Sequence, residues 1–310
     1  MITNFSTVLR MRTVLSRVGA GLAVLGVAAG AAACGDDDTG GADAAPIVVT
    51  SSIAGDVVRN LVGGDVAIEV LMPPNADPHD FAPSARQASH LRDADVVVVN
   101  GLGFEAGLDD AIDAAGDDGA AVVALAELAP DLLGDDPHVF TDPARMAVAT
   151  AALAEELADT VEGLDTPAYR ERATAYVEDL EALDAEVEQV LASIPAERRV
   201  LVTNHDVFGY FAERYGFEVL GSIIPGGDTL AEPSADELAD LAAAIDAAGV
   251  PAIFAESSAP TRLADALAGE GADVEVVELY TESLGEPGSG ADTYVELVRT
   301  NAQRIAAALA

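Results

Sequence analysis

The chain of 310 residues contains no lysine, no tryptophan and only one cysteine. A single cysteine excludes an internal disulfide framework and any zinc site built from cysteines. The 15 basic residues are all arginine and stand against 54 acidic residues, so the formal net charge is −39. Because nucleic acid and anionic membranes are recognised by clustered basic side chains, this charge argues against both as partners and favours cations. Half of the residues are apolar, which is enough for the cores of about two domains.

The beginning of the chain has the composition of a targeting segment followed by a tether. Residues 1–33 carry three arginines and then an uncharged apolar run, which is the order of a secretory signal peptide. The run is shorter than the ~20 residues of a membrane-spanning helix. It ends in alanines followed by Cys34, which resembles a lipoprotein processing site and predicts lipidation of Cys34. Cleavage by an ordinary signal peptidase in the alanine cluster is the alternative. Residues 34–45 are rich in Gly, Asp and Ala and are predicted to be a flexible tether.

Short apolar runs rich in β-branched residues alternate with helix-like segments along the rest of the chain. The clearest runs are continuously apolar, as in parallel strands that are buried on both faces. They lie at residues 47–50, 66–71, 96–99, 121–125, 200–203, 219–224, 252–255 and 274–279. The sequence therefore predicts an α/β fold of two lobes, each a mainly parallel sheet flanked by helices. The predicted parts are an N-terminal lobe at 46–165, a linking helix at 166–197 and a C-terminal lobe at 198–310.

The segment between the lobes has the clearest helical pattern in the chain. Thr166 suits the N-cap, Pro167 suits the first turn, and Pro195 ends the segment. The apolar residues recur at steps of three and four: Tyr169, Ala173, Tyr176, Leu180, Leu183, Val187 and Val190. A helix over 167–193 would be about 40 Å long, which predicts a rigid connection that limits hinge bending. A dimerising coiled coil is the alternative interpretation, although the pattern covers fewer than four heptads.

The four histidines of the chain are His79, His90, His138 and His205. Three of them follow predicted strands, and ligands of parallel sheets collect at the carboxyl ends of strands. His79 and His138 each end an Asp-Pro-His tripeptide on a proline-rich loop, and His205 closes the first strand of the second lobe. Neutral imidazoles with a carboxylate suit tetrahedral Zn(II), so these three predict a metal site in the cleft between the lobes. His90 lies near a predicted helix end and is predicted to be a surface or hydrogen-bonding residue.

An ordered set of motifs extends from about residue 46 to the end of the chain. The motifs are Asp-Pro-His at 77–79 and 136–138, Asp-Pro at 142–143, Thr-Asn-His-Asp-Val-Phe-Gly-Tyr-Phe at 203–211, Phe-Ala-Glu at 254–256 and the segment at 294–301. Together they resemble the zinc and manganese solute-binding proteins of ABC transporters. The resemblance implies two α/β lobes joined by a long helix, one metal ion in the cleft, and delivery of that ion to a membrane permease.

The resemblance also implies a set of ligands and a location. The ligands of the family fall on His79, His138, His205 and Glu282, and most members have Asp where this chain has Glu282. Members that resemble manganese carriers often have Glu at the place of His205. The imidazole therefore favours Zn(II) as the transported ion, with Mn(II) as the alternative. Together with Cys34, the resemblance predicts a monomer outside the cytoplasm that is anchored to the membrane by lipid.

Two other classes of protein use similar metal sites. A zinc hydrolase keeps an open coordination position for water and needs a general base, for which Asp80, Asp206 and Glu256 are the candidates. These carboxylates are instead predicted to orient the imidazoles or to accept from loop amides, and Glu256 is also the rival of Glu282 for the metal. The chain has no His-Glu-x-x-His or Gly-x-Ser-x-Gly motif, and the glycines at 226–227 lack the lysine of a phosphate-binding loop. The sequence therefore predicts that the protein is not an enzyme. A metal-binding surface adhesin or metallochaperone is the remaining alternative.

Overall fold

The structure, a computed structural model, describes residues 46–226, 229, 232–258, 261–269 and 274–310. These residues belong to one compact unit. The predicted signal peptide, Cys34 and the predicted tether lie outside the described residues. Across the described ranges, no helix combines the length and the apolar character that are needed to cross a membrane.

The first lobe is a four-stranded parallel sheet flanked by helices. Its elements are β1 (Ile47–Val49), α1 (Ser52–Val62), β2 (Ile68–Val70), α2 (Ala85–Asp93), β3 (Val96–Val99), α3 (Asp109–Asp118), β4 (Ala121–Ala124) and α4 (Pro143–Thr160). The strand order is β2-β1-β3-β4, and every pair is parallel. The central strands β1 and β3 contain only Ile and Val and are buried throughout. Burial of both faces explains why these strands show continuous apolar runs in the sequence instead of alternation.

The second lobe repeats this arrangement. Its elements are β5 (Val200–Thr203), α6 (Gly209–Tyr215), β6 (Glu218–Ser222), α7 (Ala235–Ala248), β7 (Ala252–Glu256), α8 (Arg262–Gly269), β8 (Glu275–Leu279) and α9 (Tyr294–Leu309). The strand order is β6-β5-β7-β8, again with parallel pairs. The prediction of two parallel-sheet α/β lobes is confirmed, and all the predicted strands are present with their ends within two residues of the prediction.

A single long helix, α5 (Pro167–Leu191), connects the two lobes. The Thr166 hydroxyl accepts the backbone N–H of Tyr169 at 3.2 Å, and Pro167 occupies the first turn, as the sequence predicts. The buried face of α5 packs on α1 and α4 on one side and on α9 on the other. Because the apolar stripe is buried within this chain, it does not form the seam of a coiled-coil dimer. The lobe boundaries at 46–165, 166–197 and 198–310 stay a prediction.

Candidate metal centre

Four buried side chains meet where the carboxyl ends of the two sheets face each other. They are His79, His138, His205 and Glu282, and one ligand atom from each lies within 4.8 Å of the others. His79 follows β2, His138 follows β4, His205 follows β5 and Glu282 follows β8. The group therefore lies between the lobes, with two members from each, at the edge where parallel sheets gather ligands.

The two Asp-Pro-His tripeptides form the same local turn. The Asp77 carboxylate accepts the backbone N–H of His79 at 2.9 Å, and the Asp136 carboxylate accepts that of His138 at 3.0 Å. Asp side chains commonly bond the backbone two residues further on, and the intervening proline fixes one backbone dihedral. The repeated tripeptide thus presents a histidine from a short, stiff loop in both places.

Four of the six distances within the group are close to those between the ligands of a tetrahedral metal ion. Glu282 Oε1 lies 2.9 Å from His79 Nε2, 3.2 Å from His138 Nε2 and 3.1 Å from His205 Nε2. The Nε2 atoms of His138 and His205 are 3.4 Å apart. Zinc–ligand bonds of about 2.0–2.1 Å at tetrahedral angles place two donor atoms about 3.3 Å apart. Four donor atoms of the kind that zinc prefers therefore lie close to coordination spacing, and the two remaining pairs, which join His79 to the other imidazoles, lie within 4.8 Å.

Two of the imidazoles are oriented by carboxylates on their far side. His138 Nδ1 lies 2.7 Å from Asp136 Oδ1, and His205 Nδ1 is in hydrogen-bond contact with Glu256 Oε1. A neutral ring that donates its Nδ1–H in this way keeps a lone pair on Nε2, which is the atom facing Glu282. The contact of Glu256 with His205 agrees with its predicted orienting role. Sequence reasoning did not identify Asp136 as an orienting residue, although its place two residues before a histidine in a repeated tripeptide was the available signal.

The other predicted residues lie outside this arrangement. Asp80 and Asp206 are exposed, and within the described chain neither carboxylate bonds a ring of the group. The geometry therefore gives no support to their predicted orienting role. His90 lies on α2, where its Nδ1 is 2.6 Å from Glu69 Oε2. It is a hydrogen-bonding residue on a helix, as predicted.

Aromatic side chains enclose the group from the first lobe. Phe104 packs edge-on against His79, with ring centroids 5.6 Å apart, and Phe140 packs edge-on against His138 at 5.8 Å. His138 and His205 are fully buried, whereas His79 is 8% exposed. Water is thus largely excluded, and among the three imidazoles His79 is the one nearest the solvent.

Burial and hydrogen bonding set the protonation of the group. Burial lowers the pKa of His205, but its hydrogen bonds to Glu256 and Glu282 outweigh burial and raise that pKa to about 10. The pKa of His138 is also raised, because Asp136 and Glu282 outweigh the opposing effect of burial. Burial raises the pKa of Glu282, but hydrogen bonds to the three imidazoles hold it well below its usual value. The group therefore holds an ionised carboxylate beside two imidazoles, His138 and His205, that favour their protonated form, and a cation competes with those protons.

Two buried carboxylate oxygens at this site have no hydrogen-bond partner among the described residues. They are Glu282 Oε2 and Glu256 Oε2. A buried polar atom without a partner costs about 1–3 kcal/mol, more if it is charged. Glu282 Oε2 belongs to the carboxylate on which the three Nε2 atoms converge, so a metal ion bound there would lie next to it.

The loop that carries Glu282 is attached to both lobes. Leu284 N–H donates to the Ser52 hydroxyl at 3.0 Å, and the Leu284 carbonyl accepts the backbone N–H of Asn75 at 3.1 Å. Ser52 begins α1, and Asn75 lies in the loop before His79. The sequence predicts that Glu282 belongs to the second lobe. The structure shows that the loop carrying it is also hydrogen-bonded to the first lobe.

The chain is similar to proteins of metal transport over nearly its whole described length. Residues 47–308 match the family described as the periplasmic zinc-uptake complex component A. The zinc-binding protein TroA of Treponema pallidum is 38% identical over 282 residues, which cover 87% of this chain and 90% of that protein. The manganese-binding lipoprotein MntA of Bacillus subtilis is 32% identical over 291 residues, which cover 89% and 94%. The solved structure of the periplasmic zinc-binding protein TroA from Treponema pallidum aligns with a TM-score of 0.78 at 37% identity and covers 85% of this chain and 98% of that one.

Proposed function

Because this chain belongs to the family of the periplasmic zinc-uptake complex component A, we propose that it captures one Zn(II) ion and delivers it to a membrane permease. The family makes the chain an extracytoplasmic, metal-binding component of an ABC importer and not an enzyme. The observation that carries the proposal is the convergence of three Nε2 atoms on one oxygen of Glu282. Capture then needs no covalent chemistry, only ligands that bind and release the ion.

We assign the four ligands to His79, His138, His205 and Glu282. Three neutral imidazoles and one carboxylate around Zn(II) leave a net charge of +1, which the adjacent Glu256 carboxylate helps to balance. The exposed edge of His79 supports entry of the ion from that side. The Asp136 and Glu256 contacts hold His138 and His205 in the tautomer that a metal requires.

Zinc is favoured over manganese by the donor set. Imidazole suits Zn(II), whereas sets rich in carboxylate, carbonyl and water suit Mn(II). The distances around Glu282 Oε1 also suit the four-coordinate geometry that zinc adopts. Manganese is the second candidate, because a relative at 32% identity is named as a manganese-binding lipoprotein.

The finer statement of location is also a proposal. We place the mature chain at the outer face of the membrane, where lipid on Cys34 anchors it. The tether at 34–45 then separates the folded lobes from the membrane. This assignment is supported by the apolar run that ends at Cys34 and by a relative named as a lipoprotein. The chain is proposed to act as a monomer, since the apolar face of α5 is covered by its own helices.

Isothermal titration of the mature chain with zinc should give one tight site, and Mn(II) should bind it more weakly. His79→Ala should abolish tight binding, because it removes a ligand. His90→Ala is the matched control and should leave the affinity unchanged, since His90 lies on α2 beside Glu69. Two or more equally tight zinc sites, or equal losses in the two variants, would contradict the proposal.

A further inference from the structure

Asn301 on α9 contacts the segment that leads to Glu282. Its side chain is buried, with 6% exposure. Asn301 Oδ1 accepts the backbone N–H of Tyr280 at 3.0 Å, and its Nδ2 donates to the Tyr280 carbonyl at 2.5 Å. One side chain thus satisfies both backbone polar groups of Tyr280, the residue directly after β8. β8 ends at Leu279, so these two hydrogen bonds, called the Asn301 clamp below, hold the backbone of the first residue after the sheet.

Glu282 lies at the centre of a buried span that is held at both ends. The span runs from Tyr280 to Leu284, and each of its residues is buried. The far end is bonded through Leu284 to Ser52 and Asn75 of the first lobe. The near end is bonded through Tyr280 to Asn301. Glu282 is two residues from either attachment, so its backbone has little freedom to move.

The helix that carries Asn301 is itself fixed to the first lobe. The backbone N–H of Tyr294, at the start of α9, donates to Asp56 Oδ2 at 2.9 Å. The Tyr294 hydroxyl donates to the Phe140 carbonyl at 2.7 Å, only two residues from His138. The position of Asn301 is therefore tied to the same lobe that supplies His79 and His138.

We propose that Asn301 is a positioning residue of the metal site, acting through the Tyr280 peptide to hold Glu282 Oε1 against the three imidazoles. The inference rests on the proposed role of Glu282 as a ligand. In the part of the chain that the structure describes, the Asn301 side chain hydrogen-bonds Tyr280 and none of the ligand side chains, so its effect passes through the backbone of the span. Ligands need to be held within about 0.5 Å of their productive positions, and loss of the clamp frees one end of the span.

The test uses two variants of Asn301, each made in the full mature chain and in the same chain with Glu282→Ala. Asn301→Ala removes both hydrogen bonds. Asn301→Asp keeps an oxygen to accept from Tyr280 N–H but loses the donor to its carbonyl. Thr300→Val is the matched control, because the Thr300 hydroxyl, on the same helix, donates to the Gly290 carbonyl and, among the described residues, to no part of the span. Zinc affinity is measured by chelator competition, and each variant is repeated in a Glu282→Ala chain.

Both Asn301 variants should weaken zinc binding by about 10–100-fold in the parent chain. In the Glu282→Ala background they should change the affinity less than about twofold, because no carboxylate remains to be positioned. The visible spectrum of bound Co(II), which reports coordination geometry, should change in the Asn301 variants and not in Thr300→Val. Folding is checked by circular dichroism.

Three results would overturn the inference: unchanged zinc affinity in both Asn301 variants, equal losses in the two backgrounds, or unfolding of both variants. Equal losses would mean that Asn301 acts on general stability and not through Glu282. An undiminished affinity in Glu282→Ala alone would instead refute the ligand assignment. Failure of the inference and failure of the proposed function are therefore distinguishable.

Discussion

Glu282→Gln should weaken zinc binding by far more than the roughly 10–100-fold that is typical of changes next to a ligand. The substitution keeps the size of the side chain but removes the anionic ligand on which the three imidazoles converge. Zinc affinity is measured by chelator competition at a fixed pH.

Two other carboxylates serve as controls for this experiment. Glu286→Gln should have no effect, because Glu286 is an exposed residue four positions further along the chain. Glu256→Gln should give an intermediate loss of about 10–100-fold, since Glu256 orients His205 without binding the ion. An undiminished affinity in Glu282→Gln together with a large loss in Glu256→Gln would reverse the assignment.

Zinc affinity should fall by at least about tenfold for each unit of pH lost between about pH 8 and pH 5, and by about 100-fold per unit towards pH 5. The pKa of His205 is raised to about 10, so in the metal-free protein this ring holds a proton through the whole range. The pKa of His138 is raised above its usual value, so this ring holds a second proton in the lower part of the range. Each displaced proton contributes about tenfold per unit of pH. The pKa of Glu282 is lowered, so this carboxylate stays ionised and adds nothing to the slope. Competition titrations at several pH values give the number of protons released.

Asp136→Asn provides the control for the pH dependence. The Asp136 carboxylate is one cause of the raised pKa of His138, and its removal lowers that pKa. The slope should therefore become shallower in the upper part of the pH range. A flat response of the parent chain over the whole range would mean that the histidines do not bind the ion.

The elements that the sequence predicted best are those specified by local patterns. The valine run of β3 is buried on both faces, and its composition alone identifies a central parallel strand. The start of α5 was predicted because Thr166 and Pro167 are local signals for a helix start. His79 and His138 were identified because the same tripeptide presents each of them.

The remaining features depend on contacts between residues that are far apart in the chain. The Ser52 hydroxyl accepts a hydrogen bond from Leu284 N–H, 232 positions away in the chain. A short sequence motif cannot predict a contact between residues so far apart. Asp80 and Asp206 show that adjacency in sequence does not by itself place a side chain at the site. Each is adjacent in sequence to a histidine of the group, but neighbouring side chains leave the backbone in different directions, and these two point to solvent. Glu256 could be associated with His205 from the sequence because it ends β7, beside the strand that ends near His205.

Anomalous diffraction at the zinc absorption edge, from crystals of the mature chain grown with zinc, would show which side chains bind the ion. We expect one strong peak between the lobes, about 2.0–2.2 Å from the Nε2 atoms of His79, His138 and His205 and from an oxygen of Glu282. A peak coordinated by Glu256 in place of Glu282, a second peak of equal height, or no peak at the four side chains would contradict it.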